Sequence, residues 1–293
     1  MELKRPELDI RVRPVPEHRA DEELNVVYRD LKATLGVPWV GVVTQAYAHH
    51  RPFFLEAWRQ FRPTADTAFF REASADLKRL SWDEMSAFDI TPQRPALESA
   101  GYSDRELAQI LDVLDLFDDG NPKYLIVATV IRASLVEGRR LGPTQSTRPA
   151  PQSSPRASQV GALPVMVEEH HAFGDLRGLY GEMKATLSLP FVNSDYKALA
   201  RWPSYLKLAW ESLKPHLSEP AYAQARQRLH ARAVELMDEV PFPFLLDRDA
   251  ARTLGMADGE LDELARTAEL FQWLLSGLML NVSHFKMSLQ QSK

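Results

Sequence analysis

The chain has 293 residues, 45% hydrophobic and 26% charged, with a formal net charge of -5 and a pI near 5.9. That length suits two domains or one large duplicated one, and the acidic balance lacks the basic face that nucleic-acid binding requires. The absence of cysteine excludes disulfides, thiolate metal sites and Cys nucleophiles, and suits a reducing, cytoplasmic compartment. Met1-Glu2-Leu3-Lys4-Arg5-Pro6 leads into no apolar core of signal-peptide length, and the longest apolar stretch, around Leu270 to Val282, falls short of the roughly 20 residues that a membrane span needs. The expectation is a soluble, unexported protein without membrane or nucleic-acid partners.

Helical spacing dominates from the start, and the helices come twice. Leu24 to Pro63 overlies Leu176 to Pro215 without a gap, matching Leu24, Tyr28, Lys32, Ala33, Thr34, Leu35, Pro38, Val40, Ala46, Ala48, Ala57, Trp58 and Pro63 to identical residues. Matching Trp58 and Trp210 read as core packing. Ser81-Trp82-Asp83-Glu84 and Ser103-Asp104-Arg105-Glu106 fit the capping-box pattern and predict two helix starts. Leu107, Ile110, Leu111, Leu114 and Phe117 then recur at spacings of three and four, as do Leu261, Leu264, Ala265, Ala268 and Phe271 further on, so both runs are amphipathic helices. Tyr124 to Ile131 is β-branched enough to be ambiguous, and its place behind a helix makes it a buried helix. Gly101, Asp104, Glu106, Leu107, Leu116 and Phe117 recur as Gly255, Asp258, Glu260, Leu261, Leu270 and Phe271. Proline and small polar residues between Gly138 and Pro164 read as an extended connector. The reading is all-α: two tandem homologous repeats, 1–137 and 165–293, joined by a linker over 138–164 and packed as a pseudo-dimer.

The copies disagree at two places. Where the first has Trp39-Val40-Gly41-Val42-Val43-Thr44, the second has Phe191-Val192-Asn193-Ser194-Asp195-Tyr196. Where the second has Gln272-Trp273-Leu274-Leu275-Ser276-Gly277-Leu278, the first has Asp118-Asp119-Gly120-Asn121-Pro122-Lys123-Tyr124. The polar sets are reciprocal, so a site drawing on Asn121, Tyr124, Ser194 and Asp195 is expected at the junction. Asp195 leads, because its counterpart is Val43 and burying a carboxylate is costly without a reason. The plainer alternative is that Ser194 or Asp195 only caps a helix. For Asn121 and Tyr124, three apart, the plainer alternative is a Gly-Asn-Pro turn beside a core aromatic. Glu168-Glu169-His170-His171 has one Glu-x-x-His but no second, which argues against a metal. No Gly-x-Ser-x-Gly elbow, phosphate-cradling glycine loop or other cofactor motif occurs.

With Asn193-Ser194-Asp195, Asn121-x-x-Tyr124 and the duplicated frame together, the sequence resembles the group I 2-haloacid dehalogenases, which act on D- or on both D- and L-2-haloacids. The resemblance implies an all-α pseudo-dimer, usually a homodimer, that needs no cofactor. It implies that Asp195 activates a water which displaces halide from C2 with inversion and without an ester intermediate. Asn121 and Tyr124 would position water and substrate, and Ser194 would line the pocket. Trp39 would wall the halogen, and Asn193, where members accepting both enantiomers tend to carry a small residue, points to D selectivity. Tyr196 completes the expected substrate contacts. A non-catalytic helical protein that binds small organic acids is the reading from another class.

Overall fold

The computed structural model describes residue 3, residues 10–143 and residues 164–290. Most of the expected linker therefore lies outside the described residues. Helices α1 (Glu22–Leu35), α2 (Val42–Tyr47), α3 (Arg51–Ala65), α4 (Ala68–Met85), α5 (Arg94–Ser99) and α6 (Asp104–Leu135) precede it. After it come α7 (Gly174–Leu187), α8 (Ser194–Leu199), α9 (Pro203–Leu213), α10 (Pro220–Glu235), α11 (Arg248–Thr253) and α12 (Asp258–Gln290). The fold is all-α: among the described residues the only β pairing is an isolated antiparallel bridge between Leu141 and Phe244. No described helix is long and apolar enough to cross a membrane.

The two series start in step, α1 with α7, α2 with α8, α3 with α9 and α4 with α10 at 152 residues apart, and α5 with α11 and α6 with α12 at 154. The same bonds recur at the same interval. The Tyr28 hydroxyl donates to the Val15 carbonyl and the Tyr180 hydroxyl to that of Val167. Glu17 accepts from Lys32 and from the Val40 N–H, and Glu169 from Lys184 and the Val192 N–H. The Trp58 indole donates to Asp30, and the Trp210 indole to Glu182. Each set ties the approach to a short helix onto the helix before it.

The chain forms two compact units. One comprises Met1–Leu77, Pro122–Leu163 and His230–Leu275, and the other Lys78–Asn121, Pro164–Leu229 and Ser276–Lys293. In the first, Leu31, Phe53, Leu125, Ile126, Leu261 and Leu264 are fully buried; in the second, Leu107-side residues Ile110, Leu114 and Phe117 join Leu206, Trp210 and Phe285. The periodic positions are thus the core ones, apart from half-buried Leu111 and Ala265. Tyr124 to Ile131 is helical and buried.

Ser103 and Glu106 form the expected capping box, the Glu106 N–H donating to the Ser103 hydroxyl and the Ser103 N–H to the Glu106 carboxylate. The second expected start is corrected. Ser81-Trp82-Asp83-Glu84 lies inside α4, where the Ser81 hydroxyl bonds back to the Lys78 carbonyl and Glu84 is drawn to Arg228. Nor is Gly120-Asn121-Pro122 a turn, because α6 runs through it. Pro122 has no N–H to give to the preceding turn, a cost of about 3 kcal/mol in a helix interior, so packing holds this stretch helical.

Candidate active site

The segment before α8 is fixed by the Val192 N–H, which donates to Glu169 at 2.8 Å, while Lys184 holds the same carboxylate at 2.6 Å. Asn193 then occupies the cap position with extended backbone. Asp195 follows as the second residue of the helix, in the first turn, where N–H groups lack helical acceptors. It is not a solvent-facing cap: only 4% of it is exposed. Its Oδ1 accepts a 2.8 Å hydrogen bond from the Asn121 amide.

Burial raises the Asp195 carboxyl to about 7, against the smaller opposing pull of the Asn121 amide and its own backbone N–H. A buried acid titrating near neutrality is matched to proton transfer at ordinary pH. Beside it, Asn193 is 3% exposed, and neither its amide oxygen nor its amide nitrogen meets a protein partner. Buried polar atoms without partners are uncommon, and this amide offers a donor and an acceptor to a bound molecule. Ser194 is half-buried at the helix start.

Tyr196 is buried, and burial drives its phenol well above the usual range. Its oxygen accepts from the Asn281 amide at 2.8 Å, and the Tyr222 hydroxyl donates to the Asn281 carbonyl oxygen at 2.6 Å. Sequence reasoning missed Asn281 and Tyr222. In the repeat register they stand opposite Val127 and Phe70, the same polar-for-apolar exchange that exposed Asp195.

In the other unit, Tyr124 and Trp39 come together. The Tyr124 hydroxyl donates to the Trp39 carbonyl at 2.7 Å and accepts from the Gly41 N–H at 2.8 Å, and the two rings lie 5.9 Å apart. The phenol of Tyr124 is therefore bonded to backbone on both sides. Among the described residues no group of three or more His, Asp or Glu is placed to hold a metal ion. Glu168 instead pairs with Lys197 at 2.8 Å, and Glu169 holds the approach to α8.

The family described as Halocarboxylic acid dehydrogenase DehI matches residues 38–165, a span that includes Trp39, Asn121 and Tyr124. An (R)-2-haloacid dehalogenase of Pseudomonas putida is 52% identical over 98% of this chain and 95% of its own. The chain is an enzyme of the group I 2-haloacid dehalogenase family. This dehalogenase is also 36% identical to the (R)-2-haloacid dehalogenase of Rhizobium sp. (strain NHG3), over 81% of this chain and 91% of that one. A solved complex of D-2-haloacid dehalogenase with L-LA superposes with a TM-score of 0.92 at 52% identity, covering 98% of this chain and 99% of the other.

Proposed function

We propose that the enzyme hydrolyses short 2-haloalkanoic acids to 2-hydroxy acids with inversion, by direct attack of a water molecule that Asp195 activates. The observation that carries this reading is the buried Asp195 carboxyl, titrating near 7 and bonded to Asn121. In the step, the ionised carboxylate takes one proton from water as the water oxygen bonds to C2. The carbon–halogen pair leaves with the halide on the opposite face, and configuration inverts. No bond forms between Asp195 and carbon. Base assistance of about 10²–10⁴-fold and the gain from holding water in line are the terms available. The D-2-haloacid dehalogenase of 52% identity that was solved with L-LA supports an inverting outcome.

In this reading Asn121 holds the carboxylate in its attacking pose, and Asn193 and Ser194 contact substrate. The unpartnered amide of Asn193 favours one enantiomer, the D form. Trp39 and Tyr124 serve as apolar substrate contacts. The Tyr124 hydroxyl is engaged by backbone, so the ring is what it presents. Tyr196 is better placed as a support than as a substrate contact, since its oxygen is held by the Asn281 amide. The matched helices and recurring bonds support an origin by tandem duplication, with repeats at 1–137 and 165–293. The same reading makes the protein a cofactor-independent cytoplasmic homodimer.

Halide release from D- and from L-2-chloropropionate, measured separately for wild type and Asp195→Asn, tests it. The D substrate is expected to turn over faster, and the variant to lose about 10²-fold or more. Unchanged turnover in Asp195→Asn removes the assignment. A single turnover in heavy-oxygen water is expected to label the hydroxy acid, and label in the protein carboxyl would replace direct attack by an ester route.

A further inference from the structure

Behind Asp195, in the same compact unit, runs a polar chain with no counterpart in the first half of the molecule. It begins at Arg226, only 8% exposed, whose guanidinium lies over the Tyr222 ring at 5.3 Å and hydrogen-bonds to its hydroxyl. Tyr222 donates to the Asn281 carbonyl oxygen at 2.6 Å, and the Asn281 amide donates to the Tyr196 oxygen at 2.8 Å. The Tyr222 hydroxyl has the Gly277 carbonyl as a second acceptor at 3.2 Å, but its shorter bond is to Asn281, so the series runs from a permanent cation toward Tyr196. With its oxygen already accepting, the Tyr196 hydroxyl is left with a proton to donate. Tyr196 adjoins Asp195 in the first turn of α8, close enough for the two to interact electrostatically.

Room has been made for this chain. A Cβ on Gly277 would run into the Arg226 guanidinium, so a larger residue there would displace that group from its present seat. In the repeat register Arg226, Tyr222, Gly277, Asn281 and Tyr196 face Ser74, Phe70, Lys123, Val127 and Thr44. The glutamate that holds the approach to the short helix occurs in both halves and so serves the frame. The donor chain occurs only in the half that carries the acid. Burying so many polar groups gains little stability over an apolar core but fixes orientation when every member is satisfied.

We propose that Arg226, Tyr222, Asn281 and Tyr196 form a one-directional hydrogen-bond chain of positioning residues that fixes the first turn of α8 and with it the attacking pose of Asp195. The proposal rests on the catalytic reading of Asp195 given above. Being oriented by neutral donors in series, the chain loses its direction when any middle link is cut.

The test is steady-state halide release from D-2-chloropropionate by Tyr222→Phe, Asn281→Leu and the double variant, with Asp195→Asn alongside. Tyr222→Phe keeps the ring beneath Arg226 and removes one hydroxyl, so the fold survives. Each single variant is expected to lose about tenfold or more in kcat with KM changed by less than about threefold, the signature of misaligned attack. The double variant should be no slower than Asn281→Leu alone, because links of one chain are not additive. Values of kcat within about twofold of wild type in both single variants, or losses that multiply in the double, overturn the proposal. Should they do so while Asp195→Asn is inactive, the chain alone falls. An Asp195→Asn enzyme as fast as wild type removes the catalytic reading and the chain together.

Discussion

Asp195 works against the stability of the protein that carries it. Its carboxyl titrates near 7 in the fold against an ordinary value of 3.8, so the folded state holds a proton that the unfolded chain has released. For a carboxyl shifted upward, the stabilising contribution is complete below about 3.8 and disappears as pH rises through about 7. At pH 8 the fold carries the whole cost of an ionised buried acid. Asp195→Asn removes that charge and still gives Asn121 an oxygen to donate to. It is expected to raise Tm at pH 8 by on the order of several °C, with a smaller gain at pH 5; thermal melts at the two pH values check this, and a lower Tm at pH 8 contradicts it. The acid and its amide were legible in the sequence because the two in-step helix series set Asp195 against Val43 and Asn121 against Leu275. Asn281 and Tyr222 carry the same kind of signal. It was obscured because Asn281 sits within the apolar stretch around Leu270 to Val282, where periodicity registers a core helix and says nothing of one amide inside it.

Elements were legible where the determinants are local. The Ser103–Glu106 capping box spans four residues and formed as the sequence predicts. The equivalent pattern at Ser81 failed because a motif of four residues does not record whether a helix is already under way. Gly41 shows a determinant that is wholly tertiary. Its φ of -60° suits any residue, so no backbone constraint calls for glycine. The constraint is the Tyr124 ring, whose atoms would lie 2.7 Å from an added Cβ while its hydroxyl stays bonded to Trp39 and Gly41 itself. Gly41→Ala is therefore expected to destabilise by about 1–3 kcal/mol, the usual cost of overpacking. Placing the same substitution in a Tyr124→Leu background should reduce its cost, since the smaller side chain vacates the contact. Denaturant titration of the four proteins measures the coupling, and strictly additive losses would show that the ring is not what excludes the methyl group.

For the molecule as a whole, the response to acid reflects three buried histidines among the described residues acting against Asp195: His50 and His230 in one compact unit and His284 in the other, with burial holding His50 below its ordinary value. His230 is 1% exposed with neither ring nitrogen hydrogen-bonded, and burial, aided by nearby Arg132, lowers it to about 4. His284 is fully buried, and burial, with His216 beside it, lowers it to about 3. A histidine shifted downward contributes stability that is complete above its unfolded value of about 6.5 and is lost as pH falls toward its folded value. Between about 6.5 and 4.5, the unfolded chain thus gains protons on all three rings ahead of the fold, while the fold gains one on Asp195. The excess of protons on the unfolded chain makes stability rise with pH over that window. Replacing all three histidines with leucine leaves Asp195 as the principal shifted group there, so the slope should reverse and stability should fall as pH rises. Urea unfolding midpoints of wild type and the triple variant His50→Leu/His230→Leu/His284→Leu at pH 4.5, 5.5 and 6.5 would display the reversal. A triple variant that keeps the rising slope of wild type would mean that these rings are already protonated in the fold, and that other groups govern its response to acid.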